Sequence, residues 1–82
     1  MGLQLVIVSP EQTVFKGEIE KVELPGTKGR FEVLVNHAPL VSTLTAGRIA
    51  YCDSQGKEQV LVISGGFVEI NANVVSVCVE LE

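Results

Sequence analysis

Two glutamates on one predicted strand are the residues whose spacing first suggests catalysis. Glu18 and Glu20 are two positions apart. Alternate side chains of a strand share a face, so their carboxylates would lie about 6.5–7 Å apart. A carboxylate pair at that spacing can act as acid and base in glycoside hydrolysis. However, Lys16, Lys21 and Glu23 surround the pair, and no aromatic platform for a sugar accompanies it. We interpret the pair as part of a solvated face.

The single histidine, His37, lies in a loop that Pro39 bounds. Loops held by a rigid scaffold often carry function, and an imidazole can carry a proton or contact a partner. No pattern supplies a serine or cysteine nucleophile together with an orienting acid, which argues against a catalytic triad. Two interpretations stay open, namely a contact with a partner protein and a loop histidine satisfied by backbone carbonyls.

The remaining candidates for chemistry are weaker. The segment Gly26-Thr27-Lys28-Gly29 has some likeness to a phosphate-binding loop, but its glycines are three apart and a strand follows, which predicts a hairpin loop. Cys52 and Cys78 have neither a Cys-x-x-Cys spacing nor a nearby histidine, so we expect two buried thiols, with a single disulfide as the alternative. The sequence predicts no catalytic residue, no metal site and no cofactor.

Composition limits the class of protein. The chain has 82 residues, of which 46% are hydrophobic and 20% charged, and a net charge of −4. This predicts a single small folded domain over residues 1–82. The basic residues are scattered singly, which excludes a nucleic-acid groove, and no apolar run approaches the roughly 18 residues of a membrane span. The N-terminus lacks a signal-peptide pattern, which predicts a cytoplasmic protein.

The elements that must position these residues are strands. Apolar residues recur with period two, and Gly or Pro punctuates the pattern every eight to twelve residues or so, which predicts an all-β, two-sheet β-sandwich of eight to ten short strands. Gly17 is expected to end one strand, and Pro25-Gly26 to form a type II turn. A shift of the apolar positions near Lys21 predicts a bulge or a twist there. Gly65-Gly66 fits either a primed turn or a glycine bulge.

The order of short motifs along the whole chain resembles the N-terminal β-sandwich of the epsilon subunit of F-type ATP synthases, which is called delta in mitochondria. The resemblance rests on the set of motifs and their order, which is more specific than any one of them. The motifs are Val8-Ser9-Pro10-Glu11, Phe15-Lys16-Gly17, Leu24-Pro25-Gly26 to Gly29, His37-Ala38-Pro39-Leu40, Ala46-Gly47 and Ile63-Ser64-Gly65-Gly66-Phe67-Val68-Glu69.

The resemblance implies a mechanical role without catalysis. Such a subunit belongs to the central stalk, clamps to the gamma subunit, rests on the polar loops of the c subunits of the membrane rotor ring, and helps to couple proton flow to ATP synthesis. It implies a peripheral location on the cytoplasmic face of the bacterial inner membrane, with no nucleic acid, no bound nucleotide and no membrane insertion.

The resemblance also assigns contact residues. The ring-facing loop falls on Gly26, Thr27, Lys28, Gly29, Arg30 and Phe31, and Arg30 stands where well-known bacterial members have an acidic residue. We therefore expect an acidic or neutral loop on the ring. A second rotor or gamma contact is implied at His37, Ala38, Pro39 and Leu40.

Many bacterial members continue into a two-helix C-terminal domain, whereas this chain stops at Glu82. We expect a naturally short epsilon without self-inhibition by that domain. Two rival hypotheses remain. One is a stand-alone β-sandwich that binds a ligand or acts as an adaptor, and the other is an enzyme with Glu18, Glu20 and His37 near a cleft.

Overall fold

Strands make up the architecture throughout the computed structural model, which describes residues 2–82 and leaves Met1 outside the described part. No helix occurs within that range, which confirms the all-β prediction. The strands are seven rather than eight to ten, so the predicted number is wrong. Their bounds are β1 Leu3–Val8, β2 Thr13–Gly26, β3 Gly29–Val33, β4 Leu40–Leu44, β5 Gly47–Asp53, β6 Glu58–Asn71 and β7 Val74–Leu81.

Two long strands explain the lower number, because β2 and β6 each run for 14 residues, β2 through Gly17, which was expected to end a strand, and β6 through Gly65-Gly66, where a turn or a bulge was expected. Gly17 does not end a strand but pairs with Leu5 of β1 inside β2. Gly66 pairs with Val79 of β7, and the register shifts between Ile63 and Gly65, so Gly65-Gly66 lie at a bulge rather than in a turn. A glycine retains its backbone donor and acceptor, so a neighbouring strand can pair with it.

The turn of the β2–β3 hairpin lies two residues later than predicted. Pro25 and Gly26 belong to β2, and Gly26 pairs with Gly29, which leaves Thr27 and Lys28 as the turn. Proline lacks an N–H, yet the carbonyl of Pro25 still accepts a hydrogen bond of 2.8 Å from the Thr45 amide. The irregularity predicted near Lys21 is confirmed as a bulge, because the pairing of β2 with β5 shifts register between Ile19 and Lys21.

The strands form two layers, and the long strands β2 and β6 take part in both. We call layer 1 the set made by the first half of β2, β1, β7, the second half of β6 and β4. Layer 2 contains β3, the second half of β2, β5 and the first half of β6. All these pairings are antiparallel except β1 with β7, which is parallel.

The core between the layers is aliphatic. Its side chains come from alternate positions, as in β1, where Leu3, Leu5 and Ile7 are fully buried. Each such side chain contributes roughly 1.5–3 kcal/mol by leaving water. No polar or charged residue is buried between Gly2 and Glu82. Cys52 and Cys78 are free thiols, and both are half-buried rather than buried as predicted.

Candidate interaction surfaces

The β2–β3 hairpin tip, residues 26–31, is tied to strand β4 by its threonine. The Thr27 amide donates to the Thr43 carbonyl at 3.1 Å, and the two threonine hydroxyls lie 2.9 Å apart. Beyond this point β2 and β4 separate, since Gly26 and Leu44 form their one paired position. The tip is therefore a short turn held against the end of β4.

Arg30 of the hairpin is engaged within the chain. Its Nε lies 3.3 Å from Oε1 of Glu23, and its Nη1 donates to the Arg48 carbonyl at 2.7 Å. The guanidinium thus links β3, β2 and β5 across the outside of layer 2. Lys28 is exposed at the tip, and neither of the two ion pairs formed by residues 2–82 includes it.

A groove of about 650 Å³ opens between the hairpin tip and strand β4. Its walls are residues 26–31 and 40–43, so it brings the predicted ring-facing loop together with Leu40 of the second predicted segment. Val41 on its rim is 72% exposed. The β4 edge that faces the groove is paired with β2 only at Leu44. The groove combines apolar side chains with unpaired strand backbone.

The second predicted segment lies in the connection between β3 and β4. The His37 amide donates to the Leu34 carbonyl at 3.2 Å, which closes a turn, and His37 Nδ1 lies 2.7 Å from the Ala38 carbonyl. That short contact fits the loop histidine satisfied by backbone. A contact between His37 and a partner protein stays a prediction. The segment reaches β4 at Leu40, whereas the hairpin tip meets β4 at Thr43.

The outer face of layer 1 carries an apolar row that sequence analysis missed. Pairing places Thr43 opposite Phe67, Phe67 opposite Cys78, and Cys78 opposite Val8, so these side chains share one face. Phe67 is 51% exposed. The sequence signal was the adjacent pair Phe67 and Val68, two apolar residues on opposite faces, but only the register shows which neighbours Phe67 has.

A second groove, of about 530 Å³, lies at the end of this row. Its lining includes Val8, Ser9 and Pro10 together with Phe67, Cys78 and Glu80. Val41 and Val74 are exposed on the same face, opposite Glu69 and Asn71 of β6, so polar side chains border the apolar row.

The outer face of layer 2 is charged instead. Lys21 and Glu32 approach to 3.8 Å, and Arg30 pairs with Glu23 beside them. Its exposed apolar residues are Val60 and Val62, which lie near the edge on β6. Opposite charges alternate across neighbouring strands, an arrangement typical of a solvated sheet.

The residues proposed for an enzyme are not brought together. Glu18 and Glu20 are exposed on β2, and neither they nor His37 line either of the two grooves described above. Glu20 accepts a weak hydrogen bond from the Cys52 thiol at 3.5 Å, and desolvation together with this carboxylate raises the pKa of the thiol. In the part of the chain that the structure describes, no cluster of three metal-binding side chains occurs, and no helix is suited to crossing a membrane.

These features describe a β-sandwich with an exposed apolar row on the outer face of layer 1, bordered by Glu69, and a mainly charged outer face on layer 2. Residues 2–81 match the family model for the β-sandwich domain of the ATP synthase delta/epsilon chain. The chain belongs to this family, which confirms the resemblance read from its motifs.

Relatives with curated names agree with the family. The chain is 41% identical over 69 residues to an ATP synthase epsilon chain of Dichelobacter nodosus, covering 84% of this chain and 48% of that protein. It is 43% identical over 75 residues to an epsilon chain of Leptospira interrogans, covering 92% and 58%. The chain thus spans about half to three-fifths of the length of these bacterial relatives.

Solved structures share the fold. One comes from a Euglena gracilis mitochondrial ATP synthase complex of OSCP, F1 and c-ring, with a TM-score of 0.89, 24% identity, and coverage of 95% of this chain and 50% of that one. Another comes from the central stalk and c-ring of Tetrahymena thermophila mitochondrial ATP synthase, with a TM-score of 0.79, 13% identity, and coverage of 98% and 64%.

Proposed function

We propose that residues 1–82 act as a single, non-catalytic rotor domain of an F-type ATP synthase, docking on the gamma subunit and on the membrane rotor ring. In this role the domain turns with the central stalk and helps to couple proton translocation to ATP synthesis. Its place is the cytoplasmic face of the membrane, as a peripheral part of the complex. The single observation that carries the proposal is the apolar row around Phe67 on the outer face of layer 1.

The gamma subunit is the partner proposed for that face. Exposed apolar surface around Phe67 and Val41 favours burial by another protein. The whole domain exposes 4879 Å². A standard interface of about 800 Å² per partner would cover about a sixth of it, an area that one sheet face can supply. The neighbouring segment His37 to Leu40 would extend the contact, because it enters β4 beside Val41.

The rotor ring is the partner proposed for the hairpin tip. Arg30 already faces Glu23 and the Arg48 carbonyl, so Lys28 supplies the unpaired positive charge at the tip. An acidic or neutral polar loop on the c subunits would complement it. Arg30 then acts by holding the tip in position against layer 2. The assembly of the two solved relatives with c-rings supports this partner.

A capture experiment tests the proposal. Tagged protein is mixed with detergent-solubilised membranes of the source cells, and in parallel with purified gamma subunit and purified ring. We expect recovery of gamma and of the ring protein. Clean recovery of the tagged chain alone, with gamma present in the mixture, would overturn the proposal.

Two matched charge reversals distinguish the proposed contact with the rotor ring from the proposed contact with the gamma subunit. We expect Lys28→Glu to weaken ring capture while gamma capture stays unchanged. Lys57→Glu, a reversal in the β5–β6 hairpin loop, should change neither. Equal loss of ring capture in both variants would show that net charge matters rather than the tip.

A ligand-binding module remains the second candidate because of the groove beside Phe67. Its volume of about 530 Å³ is in the usual range for small-molecule sites. This candidate predicts a ligand that binds the isolated domain and no affinity for gamma.

A further inference from the structure

Two asparagines join the β3–β4 connection to the turn at the end of β6. The backbone N–H of Asn36 donates to Oδ1 of the Asn73 side chain at 2.6 Å. In return, Nδ2 of the Asn73 side chain donates to Oδ1 of the Asn36 side chain at 3.2 Å. The residues are 37 positions apart in the sequence. We call this reciprocal pair the Asn36–Asn73 clamp.

The backbone of Asn73 is fixed independently of its side chain. Ala72 and Asn73 form the two-residue turn between β6 and β7, and both have positive φ, at 51° and 64°. The Asn73 carbonyl also accepts a hydrogen bond of 2.9 Å from the Gln4 amide of β1. Glycine would satisfy such a turn equally well. The turn therefore does not require the asparagine side chain, and both hydrogen bonds of the Asn73 side chain are made to Asn36 in the β3–β4 connection.

The loop has few other restraints. Asn36 has a φ of 67° inside the turn that the bond from the His37 amide to the Leu34 carbonyl closes. Leu34 and Val35 on its leading side are 51% and 42% exposed, so little packing fixes the loop. The segment is anchored in layer 1 at Leu40, which pairs with Ile70, and the clamp joins its other end, at Asn36, to the turn between β6 and β7. The clamp thereby helps to determine where His37 and the exposed aliphatic pair are presented.

From these contacts we propose that Asn73 is a positioning residue, which holds the segment from Asn36 to Leu40 in the orientation that docks on the gamma subunit. The docking part rests on the proposed function. The clamp itself depends only on the contacts between Asn36 and Asn73. A loop that samples other orientations binds with an affinity reduced by the fraction of time it spends in the competent one. Loss of the clamp should therefore slow association.

The central test compares Asn73→Gly with Ala72→Gly. Both introduce one glycine into the same turn at a positive φ, but only the first removes the clamp. In Asn73→Gly we expect the Asn36 amide to exchange with solvent at least about tenfold faster, since it loses its acceptor. We expect association with purified gamma to slow about three- to tenfold, with the dissociation rate changing less. Ala72→Gly should change neither rate.

A conservative variant sharpens the result. Asn73→Asp retains an acceptor for the Asn36 amide and loses the donor to Oδ1 of Asn36. We expect it to restore protection of the Asn36 amide and to bind gamma faster than Asn73→Gly.

Unchanged exchange at Asn36 in Asn73→Gly would overturn the clamp. Faster exchange with unchanged gamma kinetics would overturn the positioning role. If the unmodified chain itself fails to bind gamma, the proposed function and the docking role fall together, while the exchange rates still decide whether the clamp exists.

Discussion

The two outer faces of the sandwich are built on the same alternation and differ in what covers the strands. Both layers bury aliphatic side chains against each other, and both turn every second residue outward. Outside layer 1 the residues near the centre are Phe67, Cys78 and Val8, whereas outside layer 2 they are Lys21, Glu23 and Glu32. The difference indicates that the inner faces serve the fold, while the apolar row around Phe67 makes the outer face of layer 1 the better candidate for burial by another protein.

The largest expected effect comes from placing a charge on each face. Phe67 is 51% exposed and Val62 is 53% exposed, so Phe67→Glu and Val62→Glu are matched in exposure and in the charge added. We expect Phe67→Glu to weaken gamma binding at least about 100-fold, or about 2.7 kcal/mol, because it would bury an unpaired carboxylate. Val62→Glu should change it less than about threefold. Calorimetric titration with purified gamma measures both.

Circular dichroism and denaturant midpoints serve as controls that both variants fold. Similar loss of affinity in the two variants would break the distinction between the faces.

The next prediction compares one glycine in each layer. At Gly66, with φ of 153°, a Cβ would overlap the Cys78 carbonyl oxygen and lie 3.0 Å from the Val79 Cα. At Gly29, with φ of 131°, a Cβ would meet open space. We expect Gly66→Ala to lower the free energy of unfolding by about 2–4 kcal/mol and Gly29→Ala by about 1 kcal/mol, which is backbone strain alone. Urea unfolding measures both, and equal losses would contradict the backbone overlap at Gly66.

A smaller effect is expected within the hairpin of layer 2. Arg30→Ala removes the bond to the Arg48 carbonyl and the ion pair with Glu23, so we expect a loss of about 1 kcal/mol in the free energy of unfolding. Lys28→Ala, two residues away, should stay within about 0.3 kcal/mol, as expected for a surface position without such contacts. Chemical denaturation of the two variants under identical conditions is the measurement.

Binding of a variant to the purified rotor ring tests the proposed role of Arg30 in holding the hairpin tip. Arg30→Glu places a second carboxylate beside Glu23 and displaces the tip, so we expect it to weaken binding to the ring. Unchanged ring binding in this variant would remove Arg30 from any role at that surface.

The smallest effect concerns the pH dependence of the β5–β6 hairpin in layer 2. The Asp53 carboxylate accepts hydrogen bonds from the amides of Lys57 at 2.9 Å and Gln55 at 3.0 Å, which hold its pKa below the ordinary value of 3.8. A depressed folded-state pKa stabilises the fold fully above the unfolded value, and this contribution is lost as the pH falls through the folded value. Asp53→Asn should therefore lose stability mainly above about pH 4 and show a shallower decline in acid.

Urea midpoints at pH 6 and pH 2.5 test this, with Glu11→Gln in the exposed β1–β2 loop as the control. An acid decline in Asp53→Asn as steep as that of the unmodified chain would contradict the role of the carboxylate.

Sequence reasoning recovered what alternation and local turn chemistry determine. It found the all-β class and the irregularity near Lys21, which is a bulge. It failed where a distant strand decides the outcome. Gly17 continues β2 because Leu5 pairs with it, and Pro25 stays in a strand because its carbonyl meets the Thr45 amide.

The candidate surfaces were likewise predictable where local turn residues define them, and unpredictable where they depend on distant strands. The hairpin tip was placed within two residues from its turn residues alone, and the second segment was placed in a loop as expected. The row around Phe67 depends on the register of strands distant in sequence, and the contact between Asn36 and Asn73 spans 37 positions. Neither leaves a periodic signal along the chain.

The long strands β2 and β6 have a mechanical consequence for a small domain under load. Because each crosses from one layer to the other, the layers are joined through covalent backbone as well as through side-chain packing. A force applied parallel to one outer face is then resisted by bond angles and by the hydrogen-bond ladders of the sheet. Sliding of one layer over the other would require the hydrogen bonds between β2 or β6 and their neighbouring strands to break. We expect a domain connected in this way to unfold under load as one cooperative unit.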